Sequence, residues 1–358
     1  MSWDTVLLSG SFAALGFAAG LVFCALIMRS GIVDAPDGNR KTQARPIPRL
    51  GGLAIVLATI IATVIGFLIL IVAYGIDPIA MLNTFWDGIS QAENGLKPAL
   101  LLTLAAFSIG LWDDIWGANT KLKLAVLSAA CLALTAMGLV PDVLTSPAGD
   151  ITLAPLLIVG SALWALVFIN ATNFMDGANG LAIGSLAIML GGLALIGASN
   201  GDRSISVWWF PLFGAIAGFM MHNLRGNLYA GDAGALGLGA LFAGFGLISG
   251  LEVWTVATLA LPFLVDVLLT LIWRAKHGRH WLEAHLDHAY QRLIASGWTH
   301  LEAAGLYWGL SLTSACMSYI AARAGGEAPF VVFWTLFLAG AAIWIKHRRA
   351  TKASNLGA

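Results

Sequence analysis

The chain has 358 residues, of which 59% are hydrophobic and only 11% charged, and its formal net charge is zero. Soluble domains carry about 45–50% apolar and about 25% charged residues, so this composition excludes a soluble enzyme, a nucleic-acid binder and a disordered scaffold. A mean hydropathy of +0.83 marks an integral membrane protein.

A membrane helix needs roughly 20 mostly apolar residues. Eleven such runs follow one another: 5–28, 51–74, 97–112 (short for a span), 123–141, 152–169, 180–199, 206–222, 233–250, 253–273, 303–322 and 329–345. No alternating pattern points to a barrel. With the N-terminus outside, 16 of the 19 Lys and Arg residues fall in inside segments, leaving Lys97, Arg203 and Arg323 outside. The positive-inside rule then predicts an odd number of spans. Asp4 and the lack of a basic residue before Arg29 argue against a cleaved signal peptide. The expectation is an all-α polytopic membrane protein of about 11 transmembrane helices. Its N-terminus is outside, its C-terminus is cytosolic, and one membrane-embedded domain covers 1–358. Cys24, Cys131 and Cys316 form no C-x-x-C pair, which gives no basis for a disulfide framework or a thiolate metal site.

Polar groups collect in the inside loops 29–50, 113–122, 170–179, 223–232 and 274–302, so the candidate site lies on the cytosolic face. Ionisable residues beside spans are costly and tend to be functional. The first loop carries Arg40, Lys41 and Arg49 among three prolines and the Gly51–Gly52 pair. Such a stiffened cationic loop suits a di-anion such as a pyrophosphate. Asp113 and Asp114, followed by Lys121 and Lys123, repel unless a metal ion, a cation or a proton relieves them. Asn170, Asn173 and Asp176 recur at three-residue spacing and share a face if helical; Asn179 follows. Glycines flank Asp232 after Asn223, Asn227 and Tyr229, letting backbone amides approach a phosphate. Capping of helix ends is the alternative use of Asn179, Asn223 and Asn227.

Asp266 stands alone in the ninth run, as a structural polar contact or as an anchor for the loop that begins at Arg274. That loop offers His285, His288 and Arg292, about one turn apart if helical. Donors to phosphate are a better use of it than zinc, because no thiolate or Glu-His pair completes a zinc set. Hard oxygens beside a cationic ring are what Mg²⁺ with a pyrophosphate requires. No G-x-x-x-x-G-K-[ST] loop supports an ATP-driven pump. A proton- or sugar-coupled transporter would need polar groups on both faces, and the outer face is sparse.

The motifs Pro-Ile-Pro-Arg-Leu-Gly-Gly (46–52), Trp-Asp-Asp (112–114), Asn-Ala-Thr-Asn-Phe-Met-Asp-Gly (170–177) and Ala-Gly-Asp-Ala-Gly (230–234) together resemble the polyprenyl-phosphate N-acetylhexosamine-1-phosphate transferase superfamily. Their order matches over nearly the whole chain. The resemblance implies transfer of a sugar 1-phosphate from a UDP-sugar to undecaprenyl or another polyprenyl phosphate, releasing UMP, in a bacterial cytoplasmic (inner) membrane. It implies Mg²⁺, with Mn²⁺ able to substitute, and allows a homodimer. Carried over by position, it implies Asn173 and Asp232 as metal ligands and Asp113 as the group that deprotonates or orients the lipid phosphate. Asp114 would assist the cation. Asp176, Asn179 and Tyr229 would hold the nucleoside, and Asn223 would bind substrate. Lys123, Arg49, His285, His288 and Arg292 would neutralise the phosphates. Gln43 stands where many members have His, Asn179 where a second Asp is common, and Ala235 where Ser is usual. The His285-Leu-Asp-His288 form is closer to the O-antigen-initiating branch than to phospho-N-acetylmuramoyl-pentapeptide transferases, the alternative.

Overall fold

The structure is a computed structural model and describes residues 3–36, 45–75, 77–80, 83, 95–199, 206–280 and 285–354. Among them it is almost entirely helical: α1 (Trp3–Ile27), α2 (Gly51–Tyr74), α3 (Leu96–Trp116), α4 (Thr120–Ala136), α5 (Ala154–Met175), α6 (Leu181–Ser199), α7 (Ser206–Asn223), α8 (Gly231–Ile248), α9 (Val253–Leu259), α10 (Leu261–Lys276), α11 (Ala289–Ala295), α12 (His300–Ala324) and α13 (Ala328–Ser354). A two-stranded antiparallel sheet joins β1 (Val33–Asp34) to β2 (Ile47–Pro48), with Val33 opposite Pro48 and Asp34 opposite Ile47.

Every one of the eleven apolar runs is helical. Among the described residues, seven helices are long and apolar enough to cross a membrane, and the α9–α10 pair makes an eighth if taken as one span. That pair corrects the expectation of one continuous ninth span. The run breaks at Ala260 and its halves meet at 78°. Pro262 lies in the first turn of α10, where its fixed φ and missing N–H favour starting a helix over continuing one.

The outer helices expose apolar side chains that water would penalise, among them Val64, Leu68 and Val72 of α2, Leu104 of α3, Leu312 of α12 and Ile343 of α13. Such a band suits lipid. The chain is an all-α, multi-pass membrane protein. At its centre is α8, whose small residues let neighbours come close. Gly237 meets Phe107 of α3, Gly239 meets Thr172 of α5 and Gly244 meets Ala99 of α3, the kind of approach that packs helices where no hydrophobic effect drives them together. Because α2, α3 and α5 all pack on α8, the motifs at their ends converge on its first turn.

Candidate active site

The site is organised by how two helix N-termini find partners for amides that the helix leaves unpaired. At the start of α2, Gly51 N–H donates to the Tyr229 carbonyl (2.9 Å) and Gly52 N–H to the Ala230 carbonyl (2.7 Å), while Tyr229 N–H donates to Pro48 (2.8 Å). The first loop is thereby stitched to the segment that leads into α8. At the start of α8, Asp114 takes the capping role from another helix. Its two carboxylate oxygens accept from Asp232 N–H (3.0 Å) and Ala233 N–H (2.9 Å). A carboxylate there is doubly favoured, by charge-assisted hydrogen bonds and by the helix dipole. Gly231 has φ +72°, and a Cβ would strike the Arg49 carbonyl and the Asp114 carboxylate. What approaches that glycine backbone is the chain itself, where the sequence suggested a phosphate.

Asp113, one residue earlier, faces a different set. After α3, Gly117 at φ +74° turns the chain and Asn119 caps α4 by accepting from Lys121 N–H (2.9 Å). This tight hairpin folds Lys123 back, so its Nζ lies 3.2 Å from Asp113 Oδ2 and also pairs with Asp232 Oδ2. Asn173, near the end of α5, donates its Nδ2 to Asp232 Oδ1 (2.9 Å). Two carboxylates thus flank one ammonium, and each stays partly open, with side-chain exposures of 22% for Asp113 and 24% for Asp232.

Asp176 ends α5 beside this group. Burial, then the nearby Asp232 and Asp114 carboxylates, raise it well above the usual carboxylate range, so it is readily held as a neutral, hydrogen-bond-donating acid. Half-buried Tyr229 is raised as well, by burial and then by Asp34 and Asp176, and keeps its proton. Asn170 does not join them, because its Nδ2 donates to the Leu166 carbonyl of its own helix (2.8 Å). Arg49 reaches Asp34 only at 3.9 Å, and its Nε is buried with no hydrogen-bond partner among the described residues. Arg40 and Lys41 lie outside the described residues.

The structure moves several expected ligand contacts into supporting roles. Asn223 is 4% exposed, and both ends of its amide are spent. Oδ1 accepts from Gly180 N–H (2.6 Å) and Nδ2 donates to Leu228 (2.8 Å). Its job is to tie the turn after α5 to the turn after α7, which corrects the substrate-binding expectation. Asn179 donates its backbone N–H to His300 Nδ1 (3.2 Å), leaving its side chain partly exposed near Gly226.

The distal loop is corrected more strongly. His285, His288 and Arg292 do not line one helical face, because α11 starts only at Ala289 with His288 as its N-cap. His288 is 1% exposed, stacked on Phe174 (5.8 Å between ring centroids) with Nδ1 3.7 Å from buried Asp266. That seat is internal, so a direct phosphate contact does not suit it. Arg292 points elsewhere and donates to the Arg348 carbonyl (3.4 Å). His285 remains partly exposed. Burial, then the neighbouring His288 and Arg274, lower its pKa to about 4, so it offers a neutral imidazole.

Sequence reasoning passed over Asp287, which the loop is built around. Arg274 pairs with one of its oxygens, Arg279 approaches the other at 3.4 Å, and Arg348 donates to its backbone carbonyl at 3.0 Å. Burial opposes ionisation, but the Arg274 hydrogen bond and the guanidinium charges hold Asp287 below the usual carboxylate range. The signal was there in an acid, Asp287, set among the basic residues of 274–292.

Among the described residues, no three His, Cys, Asp or Glu side chains converge as a metal cage. Asp232, Asp113 and the Asn173 amide instead form an open set of hard oxygens. This suits Mg²⁺, which keeps several waters and takes one or two carboxylates with substrate phosphates.

Residues 97–250 match glycosyl transferase family 4. The chain is 29% identical over 320 residues to a decaprenyl-phosphate N-acetylglucosaminephosphotransferase of Mycobacterium tuberculosis (strain CDC 1551 / Oshkosh), covering 79% of this chain and 74% of that one. It is 31% identical over 257 residues to a phospho-N-acetylmuramoyl-pentapeptide-transferase of Synechococcus sp. (strain RCC307), covering 63% and 68%. It is 25% identical over 284 residues to a probable undecaprenyl-phosphate N-acetylglucosaminyl 1-phosphate transferase of Bacillus subtilis (strain 168), covering 77% and 73%.

Proposed function

The chain belongs to glycosyl transferase family 4, and from that premise we propose that it transfers a sugar 1-phosphate from a UDP-sugar to polyprenyl phosphate, giving the polyprenyl-diphosphate sugar and UMP. The observation that carries this reading is the open Asp113–Lys123–Asp232–Asn173 cluster at the joined ends of α3, α5 and α8. The matching of relatives over 79% and 77% of this chain favours N-acetylglucosamine as the sugar. The shorter match, over 63%, makes the muramoyl-pentapeptide donor the second reading. The membrane is a bacterial cytoplasmic membrane, and the loops 29–50, 113–122, 170–179, 223–232 and 274–302 form a single site on its cytosolic face.

In this reading Arg49 binds phosphate through the guanidinium whose Nε has no hydrogen-bond partner among the described residues. Asp113 takes or orients the proton of the acceptor phosphate. Its geometry is fixed by Ala118 N–H and Lys123. The acceptor oxygen attacks the phosphorus that carries the sugar, a new P–O bond forms in line, and the bond to UMP breaks. Lys123 keeps the two carboxylates from repelling each other as the phosphates enter. Asp176, held neutral, donates to the nucleoside, Asn179 faces the same side and Tyr229 offers its ring to the base. Asp232 and Asn173 would hold Mg²⁺, which when bound neutralises charge on the departing phosphate. Asp114 acts by holding the first turn of α8, and so the Asp232 carboxylate, in place.

The test is purified full-length protein with polyprenyl phosphate and either UDP-N-acetylglucosamine or UDP-N-acetylmuramoyl-pentapeptide, following UMP and the lipid product. UMP is expected from the first donor, to be lost with a chelator and restored by Mg²⁺ or Mn²⁺. UMP from the pentapeptide donor alone would select the second reading, and none from either would overturn both.

A further inference from the structure

The reaction as drawn makes no use of Asp266, yet it is among the most completely partnered acids in the described structure. It is 2% exposed, within α10. A buried carboxylate is costly unless its oxygens are saturated. Here Ala289 N–H (2.8 Å), Tyr290 N–H (3.5 Å), Thr270 Oγ1 (3.2 Å), Tyr307 OH (2.6 Å) and Trp344 Nε1 (3.4 Å) all donate to it, and His288 Nδ1 lies 3.7 Å away. One carboxylate therefore ties α10, α11, α12 and α13 together and holds the first amides of α11.

What it holds reaches the site directly. Tyr290, fully buried, donates its OH to the Phe174 carbonyl (2.9 Å). That OH occupies the space a Cβ at Gly177 would need. His288 and His285 both place their rings against Phe174. Phe174 adjoins Asn173, which binds Asp232. The contact chain runs without a gap from Asp266 through Tyr290 and Phe174 to the Asn173–Asp232 pair.

We propose that Asp266 is a positioning residue for the transfer reaction: it seats the His285–Tyr290 segment on the Asn173–Asp176 turn and thereby fixes Asn173 against Asp232. The proposal rests on the transferase reading for its effect on rate, and on the fold alone for the seat itself. A displacement of about 1 Å at such a turn costs roughly 10²-fold in rate when orientation is what the group supplies.

Two measurements on full-length protein in lipid nanodiscs test it. In hydrogen exchange, Asp266→Asn should speed exchange at the Ala289 and Tyr290 amides by about tenfold or more, the loss of a hydrogen bond to a charged group. Exchange in α6 should stay unchanged. In UMP release, kcat should fall by about 10²-fold while KM for the UDP-sugar stays within about twofold. Tyr307→Phe removes one donor and keeps the carboxylate, so it should lower kcat less than Asp266→Asn does and show the same exchange pattern more weakly. If Asp266→Asn does not reach the membrane, Tyr307→Phe decides alone. Unchanged exchange at 289–290, unchanged kcat, or a uniform rise in exchange with kcat and KM lost together would overturn the proposal. If the wild type releases no UMP, the transferase reading fails, and the exchange measurement still decides whether Asp266 seats the loop.

Discussion

Asp232 and Asp266 are both acids in apolar helices near one end of the bundle, and they are partnered in opposite ways. Asp232 shares one ammonium with Asp113, takes one amide hydrogen bond from Asn173 and keeps 24% of its side chain open. Asp266 takes five donors from four helices and keeps 2% open. A half-satisfied acid with an open side retains capacity for a cation and an incoming phosphate, whereas a saturated one has spent it on rigidity. The same division separates Asp113 from its neighbour Asp114. Adjacent carboxylates on a helix point about 100° apart, and here one faces the opening while the other caps α8.

The largest effect should come from closing the open side of that contrast. Asp232→Asn removes a hard anionic ligand and leaves the amide partner of Asn173 in place. Metal-assisted charge stabilisation is worth several kcal/mol, and each ~1.4 kcal/mol is tenfold in rate. Turnover should fall by about 10³-fold or more in UMP release, with the protein still in the membrane. Near-normal turnover at limiting Mg²⁺ would place the metal elsewhere. Asp113→Asn should come next, with a loss of about 10²-fold, within the range of a positioned acid–base group. Its UDP-sugar affinity, measured by calorimetry, should barely change. An equal loss of affinity would move Asp113 to the donor side.

The saturated side of the contrast predicts stability effects first. Asn223→Ala strips partners from Gly180 N–H and the Leu228 carbonyl, both in a buried turn. Thermal or denaturant unfolding in detergent should show a loss of about 1–3 kcal/mol, while KM for the UDP-sugar stays within about twofold. A selective rise in KM with unchanged stability would return Asn223 to the substrate.

Much of this was legible in the sequence, for reasons of scale. Apolar runs of span length and clusters beside them are local patterns, so all eleven helical regions and the four motifs could be placed. The cluster Asp113, Lys123, Asn173 and Asp232 was named residue by residue, because family motifs keep residues that meet in space. The division of labour within the motifs was not legible. Asp266 draws its partners from 289, 290, 307 and 344, and Asn223 from 180 and 228. No periodicity reports contacts across such separations. The 78° break at Ala260 was equally hidden, since Pro262 sits within an apolar run that reads as continuous. Where motif residues were expected to face ligand and instead face the chain, burial is what decided it.

The smallest effect concerns His285, which lies between the two regimes. It is half-buried, touches Phe174 and His288, and its pKa is lowered to about 4 by burial and then by His288 and Arg274. The ordinary histidine value is near 6.5, so the folded state holds the neutral form more strongly than the unfolded chain does. As pH falls from about 6.5 towards 4, the unfolded chain takes up a proton first, and this residue's contribution to stability is lost over that window. Above about pH 5 it stays neutral in the folded protein, so its charge does not change where the enzyme is assayed. His285→Gln keeps a neutral hydrogen-bonding group of similar reach. Its turnover should fall by no more than about tenfold, less than the ~10²-fold typical of a preorganised donor to developing charge. Its rate–pH profile between pH 5.5 and 8 should be superimposable on the wild type. Loss of an alkaline limb near 6.5 in the variant would show that the imidazolium, and not the neutral ring, faces the phosphates, and would move His285 to the open side of the site.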